Sequence, residues 1–223
     1  MSVQTDKNPI ILVTEYAIKN IRQTFKLKLG FRPTKSKMDL ESYFSQLDSS
    51  LMALKYSYLS LDELVNHPDV ENLKKVANEL SIAIQSAKNT PSTNKLAHAT
   101  IEWGIRILSG MSTRLKFSIK ELGSGIDIIV VRVRNIQKKG KLIQTRAYDD
   151  EREYTIITNM LGIQPNINLA AAILPPAEVG GQISEAMYLG LEERSEKAGH
   201  FLIPNEVDLK EVNAILHQLL KSK

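Results

Sequence analysis

The stretch Gly125–Arg134, GIDIIVVRVR, decides how this chain is divided. Val131 and Val133 alternate with Arg132 and Arg134, a period of two that places apolar side chains on one strand face and cations on the other. Gly123-Ser124-Gly125 reads as the turn before it. The switch from helical to strand period begins near residue 112, where Phe117-Ser118-Ile119-Lys120 already alternates. Residues 1–111 are therefore expected to be an α-helical domain, and 112–223 a strand-rich domain with a terminal helix.

Upstream, the signals are those of helices. Asn8-Pro9 can cap and start one, because proline at the first helical position lacks only an N–H that would be orphaned there. Ile10, Val13, Ala17, Ile21 and Phe25 follow at spacings of three and four, and Gly30 is placed to end the helix. Ser36 and Asp39 form a capping-box pattern. Leu40, Phe44, Leu47, Leu51, Leu54, Tyr58, Leu61 and Val65 then form one seam of nearly four heptads, broken at His67-Pro68. A third stripe runs from Val70 to Ala87, Thr90-Pro91 breaks it, and a fourth runs from Leu96 to Gly110. Short connections make neighbouring helices antiparallel. The expectation is an α-helical bundle or long helical hairpin, its heptad seam serving either the bundle core or a partner helix.

Downstream, Ile126–Arg134, Tyr154–Thr158, Asn168–Leu174 and Ile183–Leu189 read as strands separated by Gly, Pro and Asn. With no helical pattern between them, they suggest a small barrel or sandwich. Pro204-Asn205 introduces an amphipathic helix through Val207, Ala214, Leu216 and Leu220. The fold class is α+β.

Charge is uneven beneath a net +4. Lys19–Lys37 holds seven basic residues and no acid, and Arg114–Arg146 holds nine against Glu121 and Asp127. Asp149, Asp150, Glu151 and Glu153 follow at once and read as a solvated hairpin tip. Local cations of this density suit a polyanion, whose condensed counterions they displace.

Catalytic chemistry finds no footing in the sequence. There is no Cys, which removes disulfides, thiolate zinc sites and a thiol nucleophile. No phosphate-binding Gly-x-x-x-x-Gly-Lys-Ser/Thr, Gly-x-Ser-x-Gly elbow or His-Glu-x-x-His occurs. His67, His98, His200 and His217 are scattered without metal-ligand spacing. No enzyme, metal or cofactor is expected. Met1–Asn8 is polar, without the apolar core of a signal peptide, and no apolar run reaches the ~18 residues of a membrane span. A cytoplasmic protein with no membrane partner is expected.

One stretch is more specific. Leu174–Met187, LPPAEVGGQISEAM, resembles the tRNA-binding domain of the endothelial-monocyte-activating-polypeptide type. That domain occurs at the C-terminus of many methionyl-tRNA synthetases and in stand-alone tRNA-binding proteins. Leu174, Pro176, Ala177, Gly181, Ser184 and Met187 fall on the family pattern without a gap, and Asp127 and Val130 match its first strand. Thr158-Asn159 follows a strand as a short polar segment does in the family. The resemblance covers residues 124–200, about a third of the chain. In place of the family's His-Pro-x-Ala-Asp-Lys-Leu stands Lys138-Lys139-Gly140-Lys141-Leu142, a shorter basic loop. Glu178 replaces a frequent Lys, Glu185 a Gln and Ala186 a Gly. A helical N-terminus joined to such a domain is also similar to an archaeal family described only as predicted RNA-binding proteins.

The resemblance implies a C-terminal five-stranded OB-fold β-barrel that holds tRNA or other structured RNA. Arg132, Arg134, Lys138, Lys139, Lys141 and Arg146 would supply charge to the groove, with Asn159 and the Ser184 hydroxyl as polar contacts. Phe25, Phe31 and Tyr148 interleave with the charge and could stack on bases. Met187 would fill the barrel. The alternative is an adaptor. Its helical domain would dock on an aminoacyl-tRNA synthetase or another translation factor, with a degenerate OB fold as scaffold and a homodimer as a further partner state.

Overall fold

The computed structural model describes residues 4–85, 93–117 and 120–221. Two compact units emerge, one of residues 1–125 with 213–223 and one of residues 126–212. A helical region, a curled antiparallel five-stranded sheet and a terminal helix follow one another in the chain.

In the helical unit, α1 spans Pro9–Phe25 and the Asn8 side chain accepts the Ile10 N–H at 2.9 Å. It ends at Phe25 rather than at Gly30, which adopts φ +77° in the connection to the next helix. The helix α2, Lys37–Lys55, opens on the capping box of Ser36 and Asp39. Hydrogen bonds from Ser36 hold the Asp39 carboxyl below its ordinary pKa.

The heptad seam is not one helix. It leaves helical geometry at Tyr56, passes through Tyr58 at φ +56°, and resumes as α3, Leu61–Val65. Ser57 Oγ donates to the Leu54 carbonyl, and Ser60 with Glu63 builds a second capping box. Two local serine contacts thus outcompete a periodicity that would have run straight through them. Phe44, Leu47, Leu51, Leu54 and Leu64 are buried in the unit's own core, so the seam serves the bundle.

The helix α4, Pro68–Ile84, is capped by His67, whose Nδ1 accepts the Asp69 N–H, and α5, Lys95–Ser109, is capped by Asn94. Ala87 and Thr90-Pro91 lie outside the described residues. A short α6, Met111–Lys116, and a 3-10 turn at Leu122–Gly125 continue the same unit beyond residue 112. Ser118-Ile119 also lies outside the described residues. The core joins Ile10, Ile21, Leu47, Leu73, Leu80 and Ile101, all fully buried, each worth about 1.5–3 kcal/mol relative to exposure.

In the second unit, strands β1 (Ile128–Lys139), β2 (Leu142–Tyr148), β3 (Glu153–Thr158), β4 (Asn168–Ala172) and β7 (Met187–Tyr188) form one sheet in the order β3-β2-β1-β4-β7. A separate hairpin pairs β5 (Ala177–Val179) with β6 (Gln182–Ser184). All pairings are antiparallel. The sheet curls into a half-barrel around Val131, Val133, Ala147, Tyr154, Ile156 and Leu169. Its far edge is drawn back toward β6 and β7, because the Glu185 N–H donates to the Thr155 carbonyl at 2.9 Å. The C-terminal helix α7, Lys210–Lys221, carries the chain on from residue 212 into the helical unit. No helix among the described residues is long and apolar enough to cross a membrane.

Candidate nucleic-acid interface

The first strand runs five residues further than its sequence pattern suggests and turns back through Gly140-Lys141 into β2, a strand hidden in the sequence as Leu142–Tyr148. The basic Lys138–Leu142 segment is therefore the tip of a hairpin rather than a loop. Its two strands are in register except at one point: Val133 faces Ala147 and Asn135 faces Arg146, leaving Arg134 as an extra, bulged residue. A bulge re-aims the side chain it carries and shifts the inside–outside alternation beyond it.

The alternation fixes which candidate cations share a surface. Arg132 pairs with Tyr148, Asn135 with Arg146, Gln137 with Gln144 and Lys139 with Leu142, so these side chains occupy the outer face. Lys138 pairs with Ile143 and falls on the other face with Ile136 and Thr145. Arg134 lays its guanidinium over the Tyr148 ring, 3.9 Å from the centroid. Tyr148 pairs in turn with Glu153. The hydrogen bond to the Glu153 carboxylate, helped by burial, raises the Tyr148 phenol above its ordinary pKa, while Arg134 and Arg146 pull the other way. Burial resists ionisation of Glu153, yet hydrogen bonds from Tyr148 and Arg146 hold its carboxyl below its usual value. Arg146 is ion-paired to Glu153 and is partly spent as a free cation.

Among the described residues, Arg132, Lys138, Lys139 and Lys141 are exposed and form no ion pair. The candidates do not converge on a point. Arg132, Arg134 and Arg146 sit toward the Tyr148 end of β2, and Lys139 and Lys141 at its Leu142 end, about 20 Å away over six strand steps. Asn159 is exposed one residue beyond Thr158, which pairs with Ile143, so it lies at the hairpin-tip end as well. There the Gly180-Gly181 turn of the β5–β6 hairpin comes close: a Cβ on Gly180 would stand 2.7 Å from a Leu142 methyl. The arrangement is a cationic stripe along one sheet face, ending where two hairpin tips meet.

For Ser184 the expected role is corrected. Its hydroxyl accepts the Ile157 N–H at 3.0 Å and donates to the Ala186 carbonyl at 3.1 Å, and the residue is 9% exposed. The hydroxyl is committed to joining β6 to β3, so it is not presented to a ligand. Glu185, which departs from the family pattern, belongs to the same seam: its carboxylate accepts the Thr155 N–H at 2.9 Å and pairs with Arg152 at 2.6 Å. Asp149 is also not solvated. It is buried and accepts from the Glu151 and Arg152 N–H groups and from the Tyr154 hydroxyl, forming the hairpin that positions Glu153. Met187 is half-buried beside Ala172.

The N-terminal basic stretch is partly neutralised. Arg22 pairs with Asp48, Lys35 with Glu79 and Lys37 with Glu41. Lys19, Lys26, Lys28 and Arg32 are exposed without an ion pair among the described residues. Phe25 packs edge-on against Phe44, and Phe31 against His98, and both residues are half-buried. Among the described residues no group of three His, Asp or Glu side chains could hold a metal ion.

A family model described as an alpha helical domain matches residues 1–118. No curated protein matches the chain.

Proposed function

We propose that this chain, which belongs to the alpha helical domain family through residues 1–118, is a non-catalytic RNA-binding protein that holds tRNA or another structured RNA on the outer face of β1–β2–β3. The observation that carries the reading is the stripe itself: Arg132, the stacked Arg134–Tyr148 pair and Lys139 along one face of one hairpin, with Lys141 in the turn at its tip. We read the half-barrel as an OB fold. The strand order β3-β2-β1-β4-β7, with the β3 edge tied back at Thr155 and Ile157, is compatible with a partly open five-stranded barrel. OB folds bind oligonucleotides on the face of their second and third strands and through the loops flanking it. Here those loops are the Gly140-Lys141 turn and the insertion carrying the β5–β6 hairpin.

The chemistry suits backbone recognition. Exposed cations spaced over ~20 Å can track several phosphates, and Arg134, layered on an aromatic ring, can meet a phosphate or a base. Base-edge readout has little to work with, so modest sequence preference follows. The test is an electrophoretic titration of the full chain with tRNA at two salt concentrations. Binding that weakens steeply with salt, in the wild type and much less in the Arg132→Glu/Arg134→Glu variant, is the expected result. No binding at low salt would end the RNA reading.

A further inference from the structure

A second feature lies wholly within the helical unit, where α1 ends and α2 begins. Two neighbouring cavities, of about 400 and 350 Å³, share Phe25, Lys37 and Leu40 in their walls. Their floor is apolar, formed by Leu40 and the edge-to-face Phe25–Phe44 pair with ring centroids 6.0 Å apart. Their rim is cationic. Arg22 and Lys35 are held by Asp48 and Glu79, but Lys26 and Arg32 have no ion pair among the described residues, and Lys37 reaches Glu41 only at 3.8 Å between two exposed side chains. Such a pair contributes little and is readily exchanged. Leu27, which lines the second cavity, is 60% exposed.

We propose that this cleft docks an acidic amphipathic helix of a partner protein. Apolar side chains at i, i+3 and i+4 would enter over Leu40 and Phe25, and flanking carboxylates would meet Lys26, Arg32 and Lys37. The occupant follows from what lines the cleft and what surrounds it. A phosphate chain would leave the apolar floor of Phe25, Leu40 and Phe44 without a partner. A small anion would leave Leu27 uncovered, whereas a helix laid along both cavities covers it. Docking here is independent of RNA binding, which is assigned to the other unit.

The test selects a phage-displayed library of random 16-residue peptides on the immobilised full-length protein. The expected winners are acidic, with apolar residues at helical spacing. Their synthetic forms should bind at least tenfold more weakly to Ser45→Trp, which fills the cleft from an exposed position of α2, and to Lys26→Glu/Lys37→Glu. Both variants should keep the helical circular dichroism of the wild type. Their tRNA titration, run separately, reports on the RNA reading. Selected peptides that are neutral or basic, peptides insensitive to both variants, displacement of the peptides by tRNA in a one-to-one competition, or a library that yields no binder would each overturn the proposal.

Discussion

The Ser184 hydroxyl takes the Ile157 N–H at 3.0 Å and joins the edge of β3 to the β6 hairpin across 27 residues of sequence. With Glu185 bound to the Thr155 N–H, it satisfies two backbone donors that would otherwise lie at a raw sheet edge. Ser184→Ala should therefore destabilise the protein by about 1–3 kcal/mol, the cost of leaving a half-buried donor unmet. Guanidinium titration measures it. Affinity for RNA, per folded molecule, should not change. A variant as stable as the wild type would remove Ser184 from the seam.

Charge reversal at Arg132 and Arg134 should weaken RNA binding strongly with little change in melting temperature, because exposed strand cations contribute little to stability. The slope of log affinity against log salt should fall by about 0.7–0.9 for each phosphate no longer neutralised. A folded variant with unchanged slope would take these residues out of the interface.

The bulge at Arg134 decides which of two adjacent lysines shares the face of Arg132. Lys139→Glu places its charge on the face of Arg132 and should reduce RNA affinity more than Lys138→Glu, which falls on the opposite face. Parallel titrations of the two single variants compare them directly. Equal losses would mean that the hairpin tip, and not the sheet face, is what RNA meets.

Gly125 has no room for a side chain. A Cβ there would stand 2.6 Å from a Val13 methyl and 2.8 Å from the Pro9 carbonyl oxygen. Gly125→Ala should cost about 1–3 kcal/mol through forced displacement of α1. Thermal unfolding followed by the helical signal reports it, and an unshifted midpoint would refute this close approach.

Burial pushes the Tyr188 phenol up to about 12, against a smaller opposite pull from its 2.7 Å hydrogen bond with Thr145. The unfolded chain loses that proton near pH 10, as tyrosine ordinarily does. Folded protein binds the proton more tightly, so this contribution is complete below about pH 10 and disappears as pH rises toward 12. Tyr188→Phe should flatten that part of the alkaline stability profile. Absorbance at 295 nm should show one fewer delayed phenol in the variant than in the wild type.

Contacts between residues close along the chain can be read from their spacing alone. Asn8-Pro9, Ser36 with Asp39, and His67-Pro68 each start a helix where their side chains can reach N–H groups two or three residues on. The alternation of Val131, Arg132, Val133 and Arg134 likewise specified an exposed pair of arginines on a strand. Limits appeared where local signals competed. The Leu40–Val65 periodicity spoke for one helix, but Ser57 and Ser60 stop it within a single turn.

Which cations share a surface, and which polar groups are already spent, depends on pairing between separate segments of the chain. The bulge at Arg134 shifts the alternation by one residue, so that Lys139 rather than Lys138 shares the face of Arg132. Arg146 is neutralised by a carboxylate seven residues away, and Ser184 is consumed by a strand 27 residues upstream. Neither partner is encoded in the neighbouring sequence. Their interactions arise only when the sheet curls and brings its edges within hydrogen-bonding distance.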